Sequence, residues 1–172
     1  FDQHFSVFQG GSGLTFTSMG TESTLNPARS GTSDCTSAPN NPTGPDCLPS
    51  GIAAGDFNDD GNLDVVVATF GDVTGGSLQV FEGDGAMGFT HAGELLTPDP
   101  LAPSDSINSE IVLVGSLDGD ANNPPDIVAV GLAPDDFITV YLNDGAGNFT
   151  FTDAANSPFL MPAMDFAPDF AP

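Results

Sequence analysis

The chain has 172 residues, with 24 Asp and Glu residues against one Arg and no Lys, which gives a formal net charge of −23. Because phosphate binding needs clustered cations, this charge argues against nucleic acid as a partner and against an anionic membrane surface. No apolar run approaches the length of a transmembrane segment, so membrane insertion is not expected. The acidic residues form clusters at fixed spacings, and the charged partners that we expect are therefore cations.

An internal repeat runs through the chain. Residues 5–17, 78–90 and 138–150 each read as a strand, a Gly-rich turn and a second strand. The second and third copies each follow two short β-branched runs that are joined by an acidic loop. One unit is therefore four antiparallel strands, the size of a β-propeller blade, and no helical periodicity is visible. The repeat is marked by aromatic pairs eight positions apart, Phe8/Phe16, Phe81/Phe89 and Tyr141/Phe149.

These patterns predict an all-β fold of antiparallel, four-stranded, β-propeller-type blades, about two and a half repeats, with an extended C-terminal tail. The first unit is incomplete and supplies only its last two strands. The predicted parts are 1–19, the partial blade; 20–50, a disulfide-containing loop; 51–95, a blade with a calcium loop; 96–156, a blade with a degenerate calcium loop; and 157–172, the extended Pro-rich tail.

The two cysteines, Cys35 and Cys47, lie in the Ser-, Thr-, Pro- and Gly-rich segment 20–50. Two cysteines cannot supply a four-ligand zinc site, and both His residues are distant in sequence. We expect a disulfide that closes a short loop and stabilises the fold by about 3 kcal/mol. Two free thiols in a reducing compartment are the alternative.

The stretch DFNDDGNLD places oxygen-bearing side chains at loop positions 1, 3, 5 and 9, in the order used by the first part of an EF-hand calcium loop. A glycine at position 6 permits the sharp turn, and the residue at position 7 offers its backbone carbonyl. The EF-hand glutamate at position 12 is absent, so the position-9 carboxylate is expected to take its role. Asx turns at a strand connection are the alternative. The predicted ligands are Asp56, Asn58, Asp60, Asn62 and Asp64.

A second, degenerate copy follows in the third unit. Serine replaces the first aspartate, alanine replaces the glycine at position 6, and two residues are inserted before the last aspartate. We expect this loop to bind calcium more weakly or in another geometry. Its predicted ligands are Ser116, Asp118, Asp120, Asn122 and Asp126.

The tail ends in two copies of the tetrapeptide Asp-Phe-Ala-Pro, 165–168 and 169–172. Proline at every fourth residue prevents a regular helix and favours an extended chain. A disordered tail is the alternative.

The segments 55–67 (GDFNDDGNLDVVV) and 78–85 (LQVFEGDG) resemble the FG-GAP/VCBS repeats of integrin-like and bacterial cell-surface β-propellers. The name-giving elements are present only loosely, at 70–71 and 131–134. The resemblance implies one blade per repeat, calcium between the first two strands, and a secreted or cell-surface location. It implies no single function. Because closed propellers have about 4–8 blades, we expect a piece of a longer protein or copies that complete one another.

The sequence offers little for catalysis, and we expect no catalytic residues and no enzymatic activity. His4 is predicted in a strand and His91 just after one, and neither belongs to a recognisable catalytic motif. The expected function is that of an extracellular structural protein that binds Ca²⁺ and self-associates through sheet edges and the tail 157–172. An adhesion or glycan-binding module is the alternative; it needs exposed aromatic residues near the loops, whereas the alternation along the chain predicts that Phe57 points inward. Asn148 begins a sequon in a predicted strand and is a candidate glycosylation site.

Overall fold

A computed structural model describes residues 4–13, 15–23, 48–70, 76–95, 109–119, 123–131, 137–151 and 159–160. These residues form β-strands joined by turns, and none belongs to a helix, so no described helix could cross a membrane. The all-β prediction is confirmed for this part of the chain. The strands are β1 (His4–Gly10), β2 (Phe16–Ser23), β3 (Leu48–Gly55), β4 (Asp64–Phe70), β5 (Ser77–Gly83), β6 (Phe89–Leu95), β7 (Ile111–Gly115), β8 (Asp126–Gly131), β9 (Phe137–Asn143), β10 (Phe149–Phe151) and β11 (Phe159–Leu160).

The strands form three antiparallel sheets. The first sheet is the hairpin β1-β2, the second has the order β3-β4-β5-β6, and the third has the order β7-β8-β9-β10. The short strand β11 also pairs with β9, on the edge that β10 uses further along. The described residues do not close into a ring or barrel, so the propeller-type arrangement stays a prediction.

Part of the predicted organisation falls on residues outside the described ones. Cys35 and Cys47 lie there, and so does the tail except for Phe159–Leu160. That dipeptide pairs with β9 of its own chain. The predicted disulfide therefore stays a prediction.

The second sheet is packed on both of its faces, and β4 shows how. Val65 and Val67 contribute to a cluster shared with the first sheet, whereas Val66 and Ala68 belong to the core shared with the third sheet. Successive side chains of a strand point to opposite faces, so a strand covered on both faces needs apolar residues at consecutive positions. This explains why β4 reads as a continuous apolar run rather than an alternating one.

Aromatic rings join the first sheet to the second. The Phe5 ring meets the Phe81 and Phe89 rings edge to face, with centroids 5.1 and 5.9 Å apart. Such contacts add about 0.5–1.5 kcal/mol to the gain from burial.

The second and third sheets share the largest apolar core of the described residues. Their first strands, β3 and β7, approach so closely that a Cβ atom added at Gly51 would lie 2.8 Å from the carbonyl oxygen of Glu110, the residue before β7. The Ser50 hydroxyl also donates to the carbonyl of Ser109 at 2.6 Å. This core contains Phe57, Val66, Ala68, Leu78, Val80, Val112, Ile127, Ala129 and Tyr141.

Candidate calcium-binding loops

The loop 56–64 joins β3 to β4 and is fixed at its end by one buried carboxylate. Asp64 Oδ2 accepts the backbone N–H of Phe57 at 2.8 Å, and Oδ1 accepts that of Gly83 at 2.9 Å. Asp64 is fully buried. The carboxylate therefore ties the start of the loop to the end of β5. An ionised carboxylate has about four lone-pair sites, so these two bonds leave acceptor capacity for a cation.

The loop 116–126, which joins β7 to β8, has the same anchor. Asp126 Oδ2 accepts the N–H of Leu117 at 2.7 Å, and Oδ1 accepts the N–H of Asn143 at 2.9 Å. Leu117 and Asn143 occupy the positions that Phe57 and Gly83 hold in the preceding unit. The two predicted loops thus share the same anchoring hydrogen bonds, in spite of their different lengths.

In the first loop, the side chains at positions 1, 3 and 5 converge. Oδ1 of Asp56 and Oδ1 of Asn58 both accept the backbone N–H of Asp60, each at 3.1 Å. Asp56 Oδ2 accepts the N–H of Gly61 at 2.9 Å, and Asp60 Oδ1 accepts that of Asn62 at 2.7 Å. The oxygens of three predicted ligands therefore face the inside of one turn.

Both loops have a residue in the left-handed conformation at their fourth position. In the first, Asp59 and Gly61 have positive φ angles of 59° and 84°. In the second, Gly119 has a φ of 84° at the position equivalent to Asp59. A left-handed conformation is readily adopted by glycine and is tolerated by aspartate, which explains these residue types.

Less of the predicted ligand set can be placed in the second loop. Ser116 and Asp118 are exposed, and Asp118 Oδ2 accepts the Asn123 side-chain amide at 3.4 Å. The backbone N–H of Asp118 also donates to Asp126 Oδ2, at 3.3 Å. Asp120 and Asn122 lie outside the described residues, so the convergence seen in the first loop has no described counterpart here.

Two further aspartates lie in the hairpin turns, and neither was predicted as a site residue. Asp84 Oδ1 accepts the N–H groups of Ala86 and Gly88 at 2.7 and 2.8 Å. Asp144 makes the equivalent bonds in the turn between β9 and β10. The repeated Asp-Gly dipeptide that opens each turn was the available sequence signal.

These turn aspartates lie near the first loop. A Cβ atom at Gly85 would collide with the Asn62 side chain, and one at Gly147 would lie 3.4 Å from Asn58 Cβ. The first loop is therefore flanked by the hairpin turn of its own sheet and by that of the third sheet. The result is a surface rich in carboxylates at one end of the sheets.

Local hydrogen bonds hold the pKa values of three of these carboxyls below their usual value of 3.8. The backbone N–H of Asn62 is the main cause at Asp60, and that of Ala86 is the main cause at Asp84. At Asp144 the N–H of Ala146 contributes most. All three are therefore ionised at neutral pH, which keeps this surface negatively charged.

Asn143 connects the first loop to the third sheet. Its buried side-chain amide donates to the carbonyl of Phe57 at 2.8 Å and to that of Pro125 at 3.2 Å. Its Oδ1 accepts two N–H groups of the following turn. The equivalent residue in the second sheet is Gly83. Sequence reasoning missed Asn143, although this substitution between the repeats marked the position.

Phe57 completes the connection between the loop and the third sheet. Its ring is buried and meets the Phe149 ring edge to face, with the centroids 5.5 Å apart. The sequence prediction that Phe57 points inward is confirmed. Through Phe57 and Asn143, the conformation of the loop is coupled to the packing of two sheets.

His91 was predicted just after a strand, and this is wrong, because it lies inside β6. A register shift between Val80 and Phe81 lets β6 accommodate an extra residue. His91 Nε2 lies 2.7 Å from Gln79 Oε1, while Gln79 Nε2 donates to a carboxylate oxygen of Glu94 at 3.0 Å. His91 is thus part of a hydrogen-bonded network on the second sheet.

Asn148 was predicted in a strand but is the exposed residue immediately before β10. Its backbone N–H donates to Asp144 Oδ1 at 3.2 Å, and its side-chain amide donates to Asp144 Oδ2 at 3.0 Å. The side chain that a glycan would modify therefore takes part in closing the turn.

Among the described residues, no three His, Cys, Asp or Glu side chains come together as a metal-binding group. The set that converges in the first loop is two carboxylates and one carboxamide. Comparisons with protein-family models, curated proteins and solved structures found no match to this chain. The FG-GAP/VCBS resemblance therefore stays a prediction from the repeated residues.

Proposed function

We propose that the protein is a non-catalytic, extracellular structural protein whose β-propeller-type repeats are stapled by calcium. It self-assembles or forms part of a longer surface protein. The observation that carries this proposal is the convergence of the Asp56, Asn58 and Asp60 side chains inside one turn between two strands. Oxygen ligands without nitrogen or sulfur suit a hard cation such as Ca²⁺.

The charge of the chain supports a cation at this place. Asp56 accepts the backbone N–H groups of Asp60 and Gly61, and Asp60 accepts that of Asn62, so both carboxylates face consecutive amides of one turn. Like charges at such close range repel one another. Neutral N–H donors offset only part of this repulsion. Asp56, Asn58, Asp60 and Asp64 would hold the ion together with the backbone carbonyl of Asn62, and water would complete the 6–8 oxygen ligands that calcium takes.

The position of the loop supports a stapling role rather than a sensor role. No described helix flanks it, and strands leave it on both sides. Phe57, inside the loop, is buried against the third sheet, and its carbonyl accepts a hydrogen bond from Asn143. A cation that stiffens this loop would therefore stabilise the junction between two sheets, because binding to the folded state alone adds to its stability.

The test is calcium titration of the chain and of the double variant Asp56→Asn/Asp60→Asn. We expect calcium to raise the thermal unfolding midpoint of the parent chain by an amount that grows with concentration. At 100 times Kd, binding stabilises by about 2.7 kcal/mol. The double variant should lose most of this response in calorimetric titration and thermal unfolding.

The double variant Glu82→Gln/Glu94→Gln is the matched control, because it also removes two negative charges, but from β5 and β6 and not from the loops. Its calcium response should equal that of the parent chain. An equal response of the parent chain and the loop variant would contradict the proposal. So would magnesium acting as strongly as calcium, because magnesium demands a smaller, near-octahedral set of ligands.

For self-assembly, we propose sheet edges and the tail 157–172 as one route. The first sheet has only two strands, and among the described residues β1 pairs with β2 alone. In the second and third sheets, the equivalent strands β5 and β9 are each paired on both edges. Strand addition by the tail of another copy would pair the second edge of β1. Unchanged polymers after deletion of 157–172, seen by electron microscopy, would contradict this route.

Adhesion through glycan binding is the second candidate function. The observation that favours it is the exposure of Phe8 and Phe16 on the first sheet, since exposed aromatic rings provide faces for sugars. A glycan array with the parent chain and with Phe16→Ser decides between the two functions. Binding that is lost in the variant would support adhesion, and the absence of binding on the array would leave the structural function.

A further inference from the structure

Equivalent residues of the three sheets differ in exposure, and the difference follows the order of the sheets. Phe8, Phe81 and Tyr141 occupy the same position of the repeat. Phe81 is 1% exposed and packs towards the first sheet, and Tyr141 is 2% exposed within the core between the second and third sheets. Each therefore faces the sheet that precedes it. Phe8 has no preceding sheet among the described residues and is 56% exposed.

The second aromatic residue of the repeat shows the same order. Phe89 meets Phe5 of the preceding sheet, and Phe149 meets Phe57, which comes from the loop of its preceding sheet. Phe16, the equivalent residue of the first sheet, is 71% exposed. We name Phe8 and Phe16 the front surface.

The opposite face of the third sheet is exposed in a complementary way. Phe57 of the second unit is 1% exposed because its ring inserts into the third sheet, whereas its equivalent, Leu117, is 50% exposed. Ile111 and Leu113 are also exposed. Their equivalents in β3 are Gly51 and Ala53, and both of these face the third sheet. We name Ile111, Leu113 and Leu117 the back surface.

We propose that the front surface of one copy of this chain docks on the back surface of a second copy, head to tail. The argument is that the chain makes this kind of contact twice within itself. The aromatic pair of the second sheet packs on the first sheet, and the aromatic pair of the third sheet packs on the second. Among the described residues, these repeat positions are exposed at the two ends of the series of sheets, and one copy carries both exposed surfaces.

This inference rests on the self-assembly part of the proposed function and concerns packing between sheet faces, which is separate from strand addition at sheet edges. The two surfaces differ, so the contact is heterologous and produces a ring or an open filament. Copies that each carry a formal charge of −23 repel one another. Association is therefore expected to strengthen with calcium and with ionic strength.

A mixing experiment with two surface variants tests the proposal. Phe16→Ser disables the front surface and Leu113→Ser disables the back surface, so each variant alone should be monomeric in sedimentation velocity under conditions where the parent chain assembles. An equimolar mixture should form dimers and no longer species, because it holds one intact front and one intact back surface. Each substitution should weaken association at least about tenfold.

Met87→Ser is the control, because Met87 is an exposed apolar residue of a hairpin turn and belongs to neither surface. It should assemble like the parent chain. Both surface variants should keep the monomeric fold, which their circular dichroism and calcium-dependent unfolding report. If the two variants polymerise like the parent chain, or the mixture stays monomeric, the proposal is overturned. A parent chain that stays monomeric with calcium would instead overturn self-assembly as a whole.

Photo-crosslinking identifies the occupant of the front surface. With p-benzoylphenylalanine in place of Phe16, irradiation of mixed ¹⁵N-labelled and unlabelled copies should give crosslinks between copies that map to residues 111–117. Crosslinks within one chain to the segments 24–47 or 161–172, crosslinks between two front surfaces, or the absence of any crosslink between copies would overturn the head-to-tail arrangement.

Discussion

In the loop 56–64 the residue after the first ligand position is a phenylalanine that the third sheet buries, whereas in the loop 116–126 the equivalent leucine is half exposed. Both loops end in a buried aspartate that accepts backbone N–H groups from the loop start and from the end of the next hairpin strand. The anchor is thus common to both loops. The surroundings differ because, within the part of the chain that the structure describes, one loop lies between two sheets and the other has a sheet on one side only.

The comparison distinguishes two roles within the loop sequence, namely connecting the strands and offering oxygen atoms to a cation. The position-9 aspartate builds the connection between the strands, and it does so in both units. The residues at positions 1, 3 and 5 are the proposed cation ligands, and the second loop has a serine hydroxyl at position 1 where the first loop has a carboxylate. Structure and metal binding can therefore be changed separately by substitution.

The largest expected effect comes from substituting the apolar residue that follows the first ligand position in each loop. Phe57→Ala removes a buried ring from the core between two sheets and should lower the free energy of unfolding by about 3–5 kcal/mol. Leu117→Ala removes an exposed side chain and should change it by no more than about 0.5 kcal/mol. Urea unfolding of the monomeric chain measures both. Equal losses would mean that the two loops have equivalent surroundings.

The second prediction concerns the common anchor. In Asp64→Asn and Asp126→Asn, one acceptor oxygen becomes an amino group that faces a backbone N–H donor. Each variant should lose about 2–3 kcal/mol of unfolding free energy, because a charge-assisted hydrogen bond is removed and a buried donor is left unsatisfied. Asp59→Asn, at an exposed loop position, is the control. A loss at only one of the two anchors would contradict the structural equivalence of the loops.

The third prediction makes the second loop resemble the first. Ser116→Asp restores a carboxylate at position 1, and we expect it to tighten calcium binding by the second loop about tenfold, or about 1.4 kcal/mol. Calorimetric titration in the Asp56→Asn/Asp60→Asn background isolates the second loop. Ser116→Asn supplies an uncharged oxygen and should have a smaller effect. Unchanged affinity in Ser116→Asp would show that serine is not the reason for the difference.

The smallest effect concerns the turn aspartates, which the two units share. Hydrogen bonds lower the pKa values of Asp60, Asp84 and Asp144 in the folded chain below 3.8. A lowered pKa in the folded state stabilises the fold above the pKa of the unfolded chain, and this contribution is lost as the pH falls through the folded value. Without calcium, the thermal unfolding midpoint should therefore decrease once the pH falls below about 4.

Asp84→Asn and Asp144→Asn test that attribution. Each should make the decrease in unfolding midpoint between neutral and acidic pH shallower, by a similar amount in both units. Thermal unfolding followed by circular dichroism between pH 6 and pH 2 measures this decrease, because the range includes the ordinary carboxyl pKa of about 4. Glu82→Gln, outside the turns, should leave the profile unchanged. A steeper decrease in either turn variant would contradict the sign of the effect.

Much of the fold was predictable because its signals are local. The apolar run of β4 indicated a buried strand, and the Gly-rich turns separated the hairpin strands. The inward direction of Phe57 followed from alternation along the chain. The role of Asp64 did not, because one of its two hydrogen bonds reaches Gly83, 19 residues further along the chain. Likewise, His91 lies inside β6 because the pairing of β6 with β5 continues beyond it as far as Leu95.

By itself, the sequence determined the order of the hairpins and which oxygen-bearing side chains share a loop, since spacing along a few residues decides both, whereas the strand ends near His91 and Asn148 were not determined by it. The tertiary structure alone decided which copy of each repeated position is buried. Phe8 and Phe81 have the same local pattern, but one is exposed and the other is covered by the first sheet. Burial depends on the neighbouring sheet, and a repeated sequence carries no local mark of whether that neighbour is present.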